Sequence, residues 1–478
     1  MAANLLSLFL ETAALHGDRV ALIDGAGAKF SFNDLRGRIA QTAQQWRRQG
    51  LRSGDPVLLA MPFSADLYVA LAALWSIGAV AVLPEPAMGL AGLRHALRAV
   101  KVKGLVATGI YPALRLLLPR LHSMPLFVPQ QAGAAVQIET DVKAEAVALI
   151  SFTSGATGAP KAIARTHGFL TAQYAAVEPL LASSKAEIDL IAFPVFVLVN
   201  LAVGRPSLLP NWSMARLHQL RPLQLSNWIT QWGVTRALLP PALCQTLAQE
   251  PRLRPPFHQI FTGGGPVFPN LAEQLSAYNL TVVYGSTEAE PIACLDYEAL
   301  TQSQSQAMRQ GKGLLAGKPL ASVQVQIRDQ EIWVAGGYVN PGYLNPTQNL
   351  GIKVEEQGRI WHRTGDAGYL DSDGNLWLLG RWHPAYANTS YANTSSAFPF
   401  QAELIAQYWP GVRRAALVHG RAGDILVLEG ERRYKTDWQQ KAAEHFPQLS
   451  LRIVNHIPLD RRHRSKVNYA RLERRIRN

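Results

Sequence analysis

The stretch Ser151-Phe152-Thr153-Ser154-Gly155-Ala156-Thr157-Gly158-Ala159-Pro160-Lys161 packs small, hydroxylated and glycine residues into a loop that ends in a fixed cation. Just before it, Ala146-Val147-Ala148-Leu149-Ile150 reads as a buried strand, so the loop leaves a strand end. There, glycines let backbone N–H groups turn toward an anion, the hydroxyls add donors, and Lys161 supplies charge. Such a loop is built to hold phosphate. Its spacing is not that of a Walker A loop, which needs a glycine, four residues and then Gly-Lys-Ser/Thr.

On either side of this loop, short apolar runs alternate with helical patterns. Pro56-Val57-Leu58-Leu59-Ala60-Met61 is followed by Leu67 to Trp75 and then by Ala79-Val80-Ala81-Val82-Leu83. That order predicts parallel strands joined by crossover helices. Further strand-like runs are Leu190–Phe193, Ala237–Leu239, Gln259–Thr262 and Thr281–Tyr284, each followed by Gly, Pro or a polar turn where ligand groups collect. After Val323 the pattern changes to short alternating strands separated by glycines, Val323–Ile327, Glu331–Val334 and Leu376–Leu379, which predicts a β-rich lobe. The expected fold class is therefore α/β. A large composite domain of parallel-type sheets with helices and a β-rich lobe spans residues 1–380, and a small α+β domain spans 398–478. The segment 381–397 contains the tandem repeat Tyr386-Ala-Asn-Thr-Ser390 and Tyr391-Ala-Asn-Thr-Ser395 and reads as a polar link.

The chain of 478 residues is 48% hydrophobic and 17% charged, which excludes a disordered chain. Cys244 and Cys294 are too few for a disulfide framework or a cysteine-based zinc site, and they point to a reducing, cytoplasmic setting. The Leu58–Leu83 window is interrupted by Pro62, Asp66 and Gly78, so no membrane span is expected, and the N-terminus reads as an amphipathic helix rather than a signal peptide. The net charge of +13 is concentrated partly after Arg452. No interleaved aromatic pattern accompanies that charge, so nucleic acid is not expected as a partner. An anionic small substrate uses the same field.

Four more segments follow the loop in a fixed order: Phe261-Thr-Gly-Gly-Gly265, Val283-Tyr-Gly-Ser-Thr-Glu288, His362-Arg-Thr-Gly-Asp366 and Gly380-Arg381, with Lys466 near the end. Together they resemble the adenylate-forming superfamily of acyl-CoA synthetases, luciferases and peptide-synthetase adenylation domains, over essentially the whole chain. The resemblance implies ATP and Mg²⁺ as cofactors and a small-molecule carboxylic acid as substrate. Thr153, Ser154, Gly155, Thr157, Gly158 and Lys161 would hold the β- and γ-phosphates. Gly263, Gly264 and Gly265 would line the adenine, with Tyr284 stacked on it. Thr287 would bond the α-phosphate and Glu288 would hold the metal. Asp366 would accept from the ribose hydroxyls, Arg381 would assist at ribose or phosphate, and Lys466 would bridge carboxylate and α-phosphate as a catalytic residue. Phe193, Phe196 and Val199 are candidates for the acyl pocket.

A narrower resemblance is carried by Leu83–Gly89, Phe193–Phe196, Phe261–Pro269, Ile360–Asp366 and Pro458–Lys466, which look like the olefin β-lactone synthetases. It implies that a β-hydroxy acid is activated as its acyl-AMP and then closed to a four-membered lactone. Some positions depart from the wider superfamily. Ala156 stands where Ser or Thr is usual, Ala162 where Gly commonly follows Pro-Lys, and Val197 where many acyl-CoA synthetases have His. The stretch after Arg381 lacks the glycine pair that usually opens a route for coenzyme A. An acyl-CoA or acyl-carrier-protein ligase, with coenzyme A, a carrier protein or pathway enzymes as partners, stays open, as does a non-catalytic nucleotide-binding relative.

Overall fold

The structure is a computed structural model that describes residues 4–84, 88–131, 138–139, 141–153, 160–250, 255–384, 398–420, 423–460 and 465–477. Its chain divides into two compact units. One comprises residues 1–239, 253–258 and 337–350, and the other residues 240–252, 259–336 and 351–478.

The first unit contains two largely parallel sheets. In one, the spatial order is Leu126–Phe127, Gly104–Ala107, Pro56–Ala60, Val80–Leu83, Val147–Thr153 and Lys161–Thr166. The first five run parallel and the last antiparallel. These strands read as continuous apolar runs because both faces are covered. Ala65–Ile77 is the crossover helix expected between Pro56–Ala60 and Val80–Leu83, and Gly78 ends it at φ +79°. Leu58, Val82, Leu105, Leu121, Ile150 and Phe152 form one apolar core beside this sheet.

The other sheet of this unit pairs Arg236–Leu239 with Asp189–Ile191, then Ser207–Leu208 and Val20–Ile23 in parallel, and closes with Lys29–Ser31 antiparallel. The strand expected over Leu190–Phe193 ends at Ile191, because Pro194 opens a helix, Pro194–Val203, at its first turn. Asp189 is wholly buried, and the Arg236 fork neutralises it with bonds of 2.8 and 2.9 Å. Asn200 adds a third donor at 2.9 Å. Loss of either charge would leave the other stranded at a cost of about 3–5 kcal/mol.

In the second unit, Gln259–Gly263 runs parallel to Asn279–Ser286. An antiparallel series follows through Ala289–Asp296, Leu314–Pro319, Leu376–Arg381, Arg359–Leu370, Glu331–Gly336 and Val323–Arg328. This is the β-rich lobe that the alternating sequence foretold. The C-terminal residues form a three-stranded sheet of Val412–Gly420, Gly423–Gly430 and Ser450–Val454. The helices Pro399–Ala406 and Lys435–His445 pack on it around the fully buried Trp438.

Both ends of the 383–397 segment meet on the lobe. Trp382 donates its indole N–H to the Asp329 carbonyl at 2.9 Å, and its amide bonds Gly365 O at 2.9 Å. Phe398 is wholly buried against Ala367 and Leu379, in the same cluster as Trp382. A side chain on Gly380 would come within 2.7 Å of Pro399. No described helix is long and apolar enough to cross a membrane.

Candidate active site

In the second unit, Gly263, Gly264 and Gly265 end the strand Gln259–Gly263, and each is glycine for its own reason. A Cβ on Gly263 would lie 2.6 Å from the Val283 carbonyl of the neighbouring strand. Gly264 adopts φ +76°, a left-handed conformation that glycine takes without strain. A Cβ on Gly265 would collide with Ser465 Oγ and come within 2.8 Å of Ser465 Cβ.

Strands Asn279–Ser286 and Ala289–Asp296 form a hairpin in which Ser286 faces Ala289, so Thr287 and Glu288 occupy its two-residue turn. Tyr284 stands on the same arm, and its hydroxyl donates to Asp366 Oδ2 at 2.8 Å. Asp366 lies opposite Arg381 in the pairing of Arg359–Leu370 with Leu376–Arg381. Arg381 Nη1 donates to the other oxygen, Oδ1, at 2.7 Å. The Asp366 amide bonds Thr364 Oγ1 at 3.1 Å, and that hydroxyl donates to Ile332 O at 2.8 Å, which fixes the carboxylate's backbone.

The electrostatics follow from these distances. Burial, and then the Asp366 charge beside it, hold the Tyr284 phenol well above its usual range and therefore neutral. The Asp366 carboxylate raises Arg381, whose side chain stays half exposed, against the opposing effect of desolvation and with smaller contributions from Tyr284 and Glu288. Glu288 thus acts in the same field as the Asp366–Arg381 pair.

Lys466 is held by its backbone. Asp460 Oδ1 accepts the amides of Ser465 at 3.0 Å and Lys466 at 2.9 Å, and the Asp460 amide donates to Lys466 O at 2.8 Å. Below these bonds Leu459 pairs with Val467, and Asn468 N bonds Pro458 O at 2.8 Å. The Ser465 hydroxyl oxygen is shielded from solvent and has no hydrogen-bond partner among the described residues. Together with the Gly265 contact, this seats the lysine loop against the glycine run.

The first unit holds the remaining candidates. Thr153 ends its strand and is 4% exposed, and neither its hydroxyl nor that of Ser151 has a partner among the described residues. Lys161 begins the next strand opposite Thr153, and its ammonium lies 4.7 Å from the centre of the Tyr343 ring. Tyr343 is held there by pairing with Ile163. Ser154, Gly155, Thr157 and Gly158 lie outside the described residues. Phe193 and Phe196 meet edge to face at 5.8 Å around the first turn of helix Pro194–Val203. Val199 is one turn on from Phe196 and buried, while Val197 is wholly buried.

Sequence reasoning did not single out Asp460, Ser465 or Thr364. The first had a readable signal, an aspartate a few residues before amides that its side chain can cap in a turn. Ser465 had none, because its closeness to Gly265 joins residues 200 positions apart in the chain.

Residues 9–344 match the family model described as AMP-binding enzyme. An olefin β-lactone synthetase of Xanthomonas campestris pv. campestris is 26% identical over 505 residues, covering 92% of this chain and 90% of its own. A 2-succinylbenzoate–CoA ligase of a Geobacillus species is 29% identical over 406 residues, covering 80% and 78%. Among solved structures, an amide bond synthetase from Marinactinospora thermotolerans superposes with a TM-score of 0.80 at 20% identity, covering 98% of this chain and 99% of that one. An o-succinylbenzoate CoA synthetase from Bacillus subtilis, solved with its acyl-adenylate intermediate, gives 0.77 at 21% identity, covering 98% and 97%.

Proposed function

Because this chain belongs to the AMP-binding enzyme family, we propose that it activates a β-hydroxy acid as its acyl-AMP and closes that intermediate to a β-lactone. The first half is the chemistry of an adenylate-forming acid ligase: a carboxylate oxygen attacks the α-phosphorus of ATP and pyrophosphate leaves. In the second half the β-hydroxyl oxygen attacks the acyl carbonyl, its proton is lost, and AMP departs.

Adenylation brings two anions together, so positioning and charge neutralisation supply most of the rate. Bound Mg²⁺ would neutralise phosphate charge as pyrophosphate leaves. A hard cation that takes one or two carboxylates plus substrate phosphates suits Glu288 at its hairpin turn. Tyr284 and Arg381 already bond one oxygen each of Asp366. A carboxylate accepts about four hydrogen bonds, so two positions remain for the two ribose hydroxyls. The Thr153 hydroxyl, which has no partner among the described residues, and the Lys161 ammonium suit phosphate oxygens. In this reading, residues 398–478 act as a small domain that presents Lys466 to the reacting carboxylate and α-phosphate.

The observation that carries adenylation is the seating of the Lys466 loop on Gly265 within the unit that holds the Tyr284–Asp366–Arg381 cluster. Lactone closure is supported by likeness to β-lactone synthetases along nearly the whole chain and by the missing glycine pair after Arg381. A held intramolecular hydroxyl has the proximity advantage over an external thiol. The second reading is a thioester-forming ligase, favoured by the likeness to 2-succinylbenzoate–CoA ligases.

ATP–pyrophosphate exchange with acids that carry or lack a β-hydroxyl, followed by mass analysis of products without coenzyme A, separates the two. The expected product from the hydroxy acid is lighter than the acid by one water, while the plain acid stalls as acyl-AMP. Thioesters formed from both acids on adding coenzyme A would replace the lactone reading with the ligase.

A further inference from the structure

The positive charge of this chain is not spread evenly. Between Pro86 and Ile138 there is no aspartate or glutamate, while Arg94, Arg98, Lys101, Lys103, Arg115 and Arg120 are all present. The fold gathers residues 88–131 of this segment at one edge of a sheet. Helix Gly89–Ala99 and the turns from Tyr111 to Leu121 are successive crossovers around the strand Gly104–Ala107, and Arg120 Nη1 bonds Leu97 O at 2.8 Å between them.

Their inner faces supply Ala96, Leu97, Leu114, Leu118 and Leu121 to the core. The outer faces are of two kinds. Leu90, Arg94 and Arg98 form an exposed stripe at helical spacing, continued by exposed Lys101 and Lys103. Beside it project Ile110 at 83% exposure, Leu116 at 82% and Leu117 at 56%.

We propose that this surface docks the protein peripherally on an anionic lipid bilayer. Exposed aliphatic tips beside cations, on elements that themselves carry no acidic residue, are what an interfacial site requires: the tips enter the headgroup region and the cations meet the lipid phosphates. A single-stranded nucleic acid would ask for stacking aromatics, and none is exposed on these elements, since Tyr111 is partly covered and Phe127 buried. An acidic protein would satisfy the cations but leave the three projecting aliphatic side chains facing charge.

The placement also carries a consequence for the site. Gly104–Ala107 and Val147–Thr153 are parallel strands of one sheet with two strands between them, so Ile110 follows the same sheet edge at which Thr153 ends its strand. Those two strand ends are about 14 Å apart at the usual interstrand spacing. On the proposed function, an amphiphilic acid would then be taken up at the bilayer side of the sheet.

The test is co-sedimentation of the full chain with vesicles of phosphatidylcholine containing phosphatidylglycerol, and with phosphatidylcholine alone. Binding to the anionic vesicles only is expected, weakened by salt. The double variant Arg94→Gln/Arg98→Gln should bind roughly 30-fold more weakly, at about fivefold per cation. Leu116→Ser should lose affinity several-fold, and both variants should keep the parent melting temperature and acid-dependent pyrophosphate exchange. No sedimentation, equal sedimentation with both vesicles, or sedimentation that neither variant alters overturns the proposal. If a purified acidic carrier protein binds in a manner that Arg94→Gln/Arg98→Gln abolishes while vesicles do not bind, the surface belongs to a protein partner instead.

Discussion

Asp460 holds Lys466 by its backbone on both sides, accepting its amide at 2.9 Å and donating to its carbonyl at 2.8 Å. The side chain that would meet the reacting anions is therefore carried on a backbone that one carboxylate holds in place. Asp460→Ala should lower acid-dependent pyrophosphate exchange about 100-fold, since bonds to a charged acceptor contribute about 1.5–3 kcal/mol each. ATP affinity should hardly change. Asp460→Asn retains an acceptor oxygen and should recover most of the loss. Equal damage from both variants would show that the carboxylate does more than shape the loop.

Lys466→Ala removes the cation itself. The expected result is a fall in exchange of about 10²- to 10³-fold, the size seen when a group stabilising transition-state charge is deleted, with nucleotide binding nearly intact. Comparable losses in ATP binding and in exchange would place Lys466 in ground-state binding.

Gly265 and Ser465 define a contact that a pair of substitutions can isolate. Gly265→Ala should unseat the lysine loop and lower exchange, because its new methyl meets Ser465 Oγ. Adding Ser465→Gly should restore activity by removing the obstructing atom, giving a coupling of about 0.5–3 kcal/mol in a double-mutant cycle. Strictly additive losses would mean that the two residues do not meet during turnover.

The two units should respond to pH in opposite directions. In the first unit burial lowers His167 from 6.5 to about 4, so between those values the unfolded chain binds the extra proton. Its contribution is complete above pH 6.5 and is lost as pH falls. In the second unit burial raises Glu403 from 4.5 to about 8, although the Leu417 amide and the Tyr469 hydroxyl bond it. Here the folded state keeps the proton, so stability is complete below pH 4.5 and is lost as pH rises toward 8. Each slope approaches about 1.4 kcal/mol per pH unit. Hydrogen exchange followed by mass spectrometry at about pH 5 and about pH 8 should show the first unit loosening in acid and the second in base. Glu403→Gln should flatten only the second response.

The parallel sheet around Pro56–Ala60, Val80–Leu83 and Val147–Thr153 was legible because strands buried on both faces must be continuously apolar and their crossover must be a helix. The β-rich lobe was equally plain in its period of two. Pro194 was misjudged as following a strand through Phe193, since an apolar run of that length fits strand and helix alike until proline is given its place at a helix start. Tyr284, Asp366 and Arg381, singled out by motif order, are joined by hydrogen bonds in the structure. What motif order could not convey is that Tyr284 and Arg381 divide the two oxygens of Asp366 between them. That division depends on strand register, which a β-bulge between Ala367 and Gly368 resets.

Trp382 and Phe398 share one apolar cluster, while 385–397, with the double pentapeptide, lie outside the described residues. Fifteen residues join the two, and fully extended that length of chain could reach about 50 Å, far more than two neighbours in one cluster require. Removing Tyr391–Ser395 shortens a closed loop by a third, which changes its closure entropy by only about 0.4 kcal/mol. Spare contour matters only to a chain whose Phe398 leaves its socket, and the length of the repeat then sets how far the lysine-bearing residues beyond it travel.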